Sequence, residues 1–124
     1  MIYLYTHIVV WLYTGHVAQF SQNTKALMNQ QDLYISPIVR LELQYLFEIQ
    51  RLTADADTVI TDLQKRVGLT ICSKEWNRII SQAMTTSWTR DPFDRLIVAH
   101  AALQDNLLVS KDQNILNHYQ YASW

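Results

Sequence analysis

Glycine is nearly missing from this chain: Gly15 and Gly68 are the only 2 among 124 residues. No glycine-rich loop able to cradle a phosphate can be built from them, so the usual nucleotide-cofactor folds lose their first requirement. Cysteine is scarcer still. The single Cys72 excludes an internal disulfide and any multi-cysteine zinc site, a composition that fits a reducing cytoplasm. Charged residues make up only 17%, and the formal net charge of −1 leaves no global positive field to hold nucleic acid, so any such contact must be local. No Asp, Glu, Lys or Arg precedes Lys25. The opening stretch is still not read as a leader or membrane anchor. It lacks a basic leading segment, Thr6 and His7 interrupt the apolar run, and no run reaches the roughly 18 apolar residues of a spanning helix. It is expected to form a buried strand and helix, with no membrane role.

What is present is apolar material, 49% of the chain, enough for the core of one domain over residues 1–124. Ile2 to Tyr5 reads as a short strand, and Ile8 to Tyr13 as a helix running to Gly15. Ser21 is expected to cap a helix reaching about Asn29, followed by a strand at Leu33 to Ile35. Ser36-Pro37, a capping residue and a first-turn proline, opens a helix to about Leu52, and Thr53 is placed as the cap of the next, Ala54 to Val67. Gly68 ends it, Leu69 to Cys72 forms a third strand, and Ser73 opens a helix to about Thr86. A helix from Asp91, a strand at Leu107 to Val109 and a short helical turn lead to an aromatic tail, Tyr119, Tyr121 and Trp124. Short apolar strands alternating with helices predict a parallel sheet covered on both faces, with sites beyond the carboxyl ends of its strands. Trp11, Trp76, Trp88 and Trp124 are expected mostly in the core, with one or two marking a partner surface.

The segment RDPFDRLIVAHA, Arg90 to Ala101, carries the most chemistry. Asp91-Pro92 reads as an N-cap and first-turn proline, and Asp94 falls on the same face one turn later. Phe93, Leu96, Ile97, Val98, Ala99 and Ala101 make this helix apolar nearly all round, so Asp94 points into partly dry space. Glu42 sits on the otherwise apolar stripe Val39, Leu46, Ile49, and Asp112 follows the Leu107 strand. A lone core-facing carboxylate costs several kcal/mol unless it is paired, protonated or metal-bound. Two readings stay open. In one, Asp91 and Asp94 complement the helix dipole, Glu42 pairs with Arg95 or Arg90, and Asp112 caps the next turn. In the other, Glu42, Asp94 and Asp112 converge on Mg²⁺ or Mn²⁺ for phosphodiester hydrolysis. Arg40, Arg90, Arg95 and Lys111 lie beside these acids, placed either to grip phosphates or to pair with their neighbours.

In the segments MIYLYTHIVVWL, ISPIVRLELQYL, WTRDPFDRLIVAHA and LLVSKD the chain resembles the PIN-domain ribonucleases, in particular the VapC-like toxins of toxin–antitoxin pairs, and the match spans essentially its whole length. The resemblance implies an α/β, three-layer fold with a short, mainly parallel sheet flanked by helices. It also implies cytoplasmic RNA cleavage with Mg²⁺ or Mn²⁺, a single-stranded or structured RNA substrate, a small antitoxin protein as partner, and a homodimer. Its metal ligands carry over to Glu42, Asp94 and Asp112, with Asp91 as auxiliary acid; the residues beside them, Thr6, Arg90, Arg95 and Lys111, are the expected substrate contacts. One position departs. The family's first strand ends in aspartate followed by threonine, and here the dipeptide is Tyr5-Thr6. A phenol of pKa about 10 removes a charge and adds bulk. Its hydroxyl is expected to fill part of the metal cavity or to bond Asp94 or Asp112, lowering metal affinity.

Overall fold

The computed structural model describes residues 1–124. Its spine is a five-stranded, wholly parallel sheet in the order β3-β2-β1-β4-β5, flanked by seven helices. The strands are β1 (Ile2–Leu4), β2 (Leu33–Ile35), β3 (Thr70–Ile71), β4 (Leu107–Val109) and β5 (Ala122–Ser123). β1 is central: Ile2 pairs with Leu33 on one side and with Leu107 on the other. Ile2, Leu4, Ile35, Leu108 and Val109 are completely buried. That continuous burial is what a strand covered on both faces requires, and each such side chain contributes about 1.5–3 kcal/mol.

The helices are α1 (Thr6–Thr14), α2 (Gln22–Gln30), α3 (Pro37–Glu48), α4 (Ala56–Val67), α5 (Trp76–Met84), α6 (Pro92–Ala102) and α7 (Gln113–His118), with a 3₁₀ turn at Val17–Gln19. None is long and apolar enough to cross a membrane. Helix α1 packs on α3 and α4, α5 lies along α6, and α3 also meets α6. Their ends follow local chemistry. Ser21, Ser36 and Asp91 accept backbone amides as N-caps, and Pro37 and Pro92 occupy first turns. Gly15 (φ 77°) and Gly68 (φ 68°) close α1 and α4 in the left-handed region that glycine adopts without strain.

Several boundaries differ from the sequence reading. Helix α3 stops at Glu48, short of Leu52. The cap of α4 is Asp55, not Thr53, because its carboxylate accepts the Thr58 amide while Gln44 Oε1 takes the Ala56 amide. Glu75, not Ser73, caps α5, accepting from the Asn77 and Arg78 amides. The aromatic tail, to which the sequence reading assigned no element, contains β5, which pairs with β4. On α3 the buried positions are Val39 and Leu43, and Ile49 is exposed. Of the tryptophans, Trp11, Trp88 and Trp124 pack against the core, and Trp76 is 46% exposed on α5.

Candidate metal centre

Because β1, β2 and β4 run in register, the residues that follow them emerge at one edge of the sheet. Tyr5 follows β1, and its amide donates to the Val109 carbonyl (3.0 Å), which fixes it beside the end of β4. Glu42 lies in α3, the helix that leaves β2; Asp94 lies in the first turn of α6; Asp112 follows β4. The half-buried Tyr5 phenol lies amid Asp94, Glu42 and Asp112, each of which disfavours its ionisation.

Each carboxylate has a protein donor. The Tyr5 hydroxyl donates to Asp94 Oδ1, and the Thr6 hydroxyl donates to Glu42 Oε1. Asp112 Oδ1 accepts the Ile115 amide at 3.0 Å as the N-cap of α7, and the Asp112 amide donates to Ser110 Oγ at 3.0 Å. Asp91 Oδ1 accepts the amides of Phe93 (2.8 Å) and Asp94 (3.2 Å). The charged form of a carboxylate prefers water, so burial raises the pKa of Glu42 and of Asp94, and only the hydroxyl donors pull the other way. Burial first, and then the Asp94 bond, drives the Tyr5 pKa far above its ordinary value, so the phenol is a neutral donor.

The arginines do not serve the acids. Arg90 donates to the Ser87 carbonyl (2.7 Å) and Arg95 Nε to the Thr89 carbonyl (2.9 Å), both on the loop before α6. The expected pairing of Glu42 with Arg95 or Arg90 is therefore corrected: the ion pairs are Arg40–Asp57 and Arg66–Asp62, and Glu42 is held by Thr6. The reading of Asp112 as a cap describes what its carboxylate does.

A divalent cation needs free oxygens converging from several side chains. Here a phenol hydroxyl holds Asp94, a second hydroxyl holds Glu42, and no three His, Cys, Asp or Glu side chains come together as a metal-holding group. In this arrangement the donor set does not fit Mg²⁺ or Mn²⁺.

His7 also belongs to this edge, and the sequence reading took it only as an interruption of an apolar run. Its Nε2 accepts the Lys111 amide (2.9 Å), and its ring lies 4.8 Å from that of Tyr5 and 5.1 Å from that of Trp11. Burial holds its pKa down to about 4, so the ring is neutral near pH 7 and remains an acceptor. The available signal was position: an imidazole in the first turn of α1 stands at the same sheet edge as Tyr5.

The fold is similar to that of known proteins. The PIN domain model matches residues 2–120. Among solved structures, VapBC2 from Rickettsia felis, bound to a DNA fragment from their promoter, is similar with a TM-score of 0.64 and 22% sequence identity, covering 94% of this chain and 92% of that chain. VapBC-1 from nontypeable Haemophilus influenzae is similar with a TM-score of 0.56 and 19% identity, covering 94% of each. No curated protein sequence matches.

Proposed function

The chain belongs to the PIN domain family, and from that premise we propose that it is a VapC-like member in which metal-dependent RNA cleavage is strongly attenuated while RNA and protein binding persist. One observation carries the reading: the Tyr5 hydroxyl occupies Asp94 at the position where the family resemblance calls for a metal-binding aspartate. Local structure supports treating Tyr5 as a substitution. It is the N-cap of α1, yet its side chain makes no cap bond. An aspartate there would accept a first-turn amide as well as offer a ligand oxygen. Glu42, Asp94 and Asp112 are the ligand positions under this reading, Asp91 the auxiliary acid, and Mg²⁺ or Mn²⁺ the ion they would hold once Tyr5 is replaced. Arg90, Arg95 and Lys111 face the RNA, whereas Thr6, expected from the sequence to contact substrate, is buried and donates its hydroxyl to Glu42.

The partner proposed is a small antitoxin protein, in the cytoplasm, with the chain itself a homodimer. Leu12, Val17, Phe20, Met28, Leu33 and Val67 line an apolar groove of about 570 Å³, a shape suited to a partner's apolar side chains. Trp76, Ile80 and Met84 recur along one exposed face of α5, which offers apolar area to a second copy.

The test is cleavage of a panel of single-stranded and structured RNAs in Mg²⁺ or Mn²⁺ by the natural chain and by Tyr5→Asp. Little cleavage by the first and at least tenfold more by the second is the expected result. Strong cleavage by the natural chain, abolished by Asp94→Ala, defeats the proposal. A second reading, a binding module with no catalytic role, draws on the protein donor that each carboxylate already has; failure of Tyr5→Asp to cleave any RNA would favour it.

A further inference from the structure

Lys111 is exposed and stands between β4 and Asp112, yet its ammonium pairs with no carboxylate and makes no hydrogen bond to the protein. It lies instead 5.9 Å from the centroid of the Trp11 ring and 5.6 Å from that of Trp124. The two indoles meet edge to face at 5.9 Å, and Phe20 closes the cluster at 6.1 and 6.3 Å. The root of the side chain is tied as well, through the Lys111 amide on His7 Nε2. Trp124 is anchored in turn: Asn23 Nδ2 donates to its carbonyl (3.1 Å) and to Ser123 Oγ (2.9 Å). A cation resting on aromatic faces keeps its N–H donors for an incoming ligand, whereas a carboxylate partner would neutralise it.

Charge gives this arrangement a purpose. Glu42, Asp91, Asp94 and Asp112 gather at one edge of the sheet, and with no cation among them they repel a phosphate chain. A strand can approach only where a fixed positive group offsets that repulsion. Arg90 and Arg95 each spend an N–H on a loop carbonyl, and Lys111 spends none. We infer that Lys111 binds the phosphodiester backbone of single-stranded RNA beside the carboxylate cluster, and that Trp11, Trp124 and His7 are positioning residues that hold it there. The inference rests on the RNA-binding reading above. It adds that Lys111 is the cation left free to grip the backbone and that the Trp11–Trp124 pair and His7 order it beforehand.

The experiment uses the full chain and a fluorescein-labelled oligouridylate in EDTA, followed by anisotropy from 50 to 200 mM KCl. Lys111→Gln is expected to weaken binding about 5–10-fold and to reduce the slope of log Kd against log salt by about 0.7, the value of one phosphate contact on a single strand. Lys111→Arg should keep both. Trp124→Leu should weaken binding in the same direction, and the double variant with Lys111→Gln should be no weaker than Lys111→Gln alone, a non-additivity that simple loss of packing does not produce. Should Trp124→Leu fail to fold, Trp124→Phe preserves the packing and is expected to fall between natural chain and Lys111→Gln. If RNA binds and Lys111→Gln leaves affinity and salt slope unchanged, this inference is overturned and the RNA reading stands. If no RNA binds to the natural chain, the RNA reading fails and takes the inference with it.

Discussion

The Tyr5 hydroxyl donates a hydrogen bond to Oδ1 of Asp94, linking the end of β1 to the first turn of α6 across 89 positions of sequence. It gives a half-buried carboxylate a neutral donor in place of a cation. Tyr5→Phe removes only the donor and leaves Asp94 without it, so a loss of about 1–3 kcal/mol is expected in urea denaturation at pH 7.5. Adding Asp94→Asn to Tyr5→Phe should recover part of it, because no charge then remains to be solvated. Equal stability of Tyr5→Phe and the natural chain would mean that the bond contributes nothing.

Divalent ions should leave the melting temperature of the natural chain unchanged to within about 1 °C at millimolar Mg²⁺ or Mn²⁺, since an ion that does not bind the folded state adds nothing to it. Tyr5→Asp should be less stable without metal, carrying another uncompensated acid beside Asp94 and Asp112, and should regain about 2–3 kcal/mol when the ion is present at about a hundred times its Kd. Differential scanning fluorimetry with and without EDTA reads both. A metal-dependent rise in the natural chain equal to that in Tyr5→Asp would contradict the account of the site.

Acid should destabilise the fold through its buried imidazoles. Burial depresses His7 to about 4 from the ordinary 6.5, and it also lowers His100, whose Nδ1 lies 2.8 Å from Ser36 Oγ and whose buried Nε2 has no partner. Below pH 6.5 the unfolded chain takes up protons at these rings before the folded chain does. Their contribution is therefore complete above pH 6.5 and is lost as the pH falls toward about 4, with about 2 kcal/mol of the His7 contribution gone by pH 5. Glu42 and Asp94, raised by burial, hold their protons longer in the folded chain and offset part of that loss at the acid end. Denaturation at pH 7 and pH 5 should show a smaller drop for His7→Gln, which keeps an acceptor for the Lys111 amide, and an identical drop would count against the assignment.

Two of the acids support helices whatever else they do. Asp112→Ala and Asp91→Ala remove the caps of α7 and α6 and should each cost about 1 kcal/mol, whereas Asp112→Ser and Asp91→Ser should cost only a few tenths. Thermal melts of the four variants, compared with RNA binding by the same proteins, separate the cap from any role toward ligand.

Local signals told most of the fold. Ser36-Pro37, Asp91-Pro92, Gly15 and Gly68 end or begin helices through one residue's own geometry, so they were legible in the sequence, as were the fully apolar strands β1, β2 and β4. Where several polar residues stood in series, the choice among them was made elsewhere in the molecule. Asp55 rather than Thr53 caps α4 where Gln44, from α3, reaches the Ala56 amide. Strand β5 owes its existence to backbone bonds, Leu108 N to the Tyr121 carbonyl and Ser110 N to the Ser123 carbonyl, which no side-chain pattern announces. At the site, the sequence reading brought Tyr5 to Asp94 or Asp112, and Asp94 is its partner. Pairing Glu42 with an arginine missed because a hydroxyl one residue beyond Tyr5 was nearer, and the loop from Ser87 to Thr89 supplied carbonyls to both arginines.

The two neighbours of β1 come from opposite parts of the chain, β2 beginning at Leu33 and β4 at Leu107. During synthesis from the N-terminus, Ile2–Leu4 can find its first neighbour early, but its other edge stays open until Leu107–Val109 has been made. Only then does the Tyr5 amide meet the Val109 carbonyl, and only then does Asp112 arrive beside the phenol. The carboxylate cluster thus cannot assemble before Asp112 has been made, and until β4 follows, one edge of β1 at the middle of the future sheet has no partner.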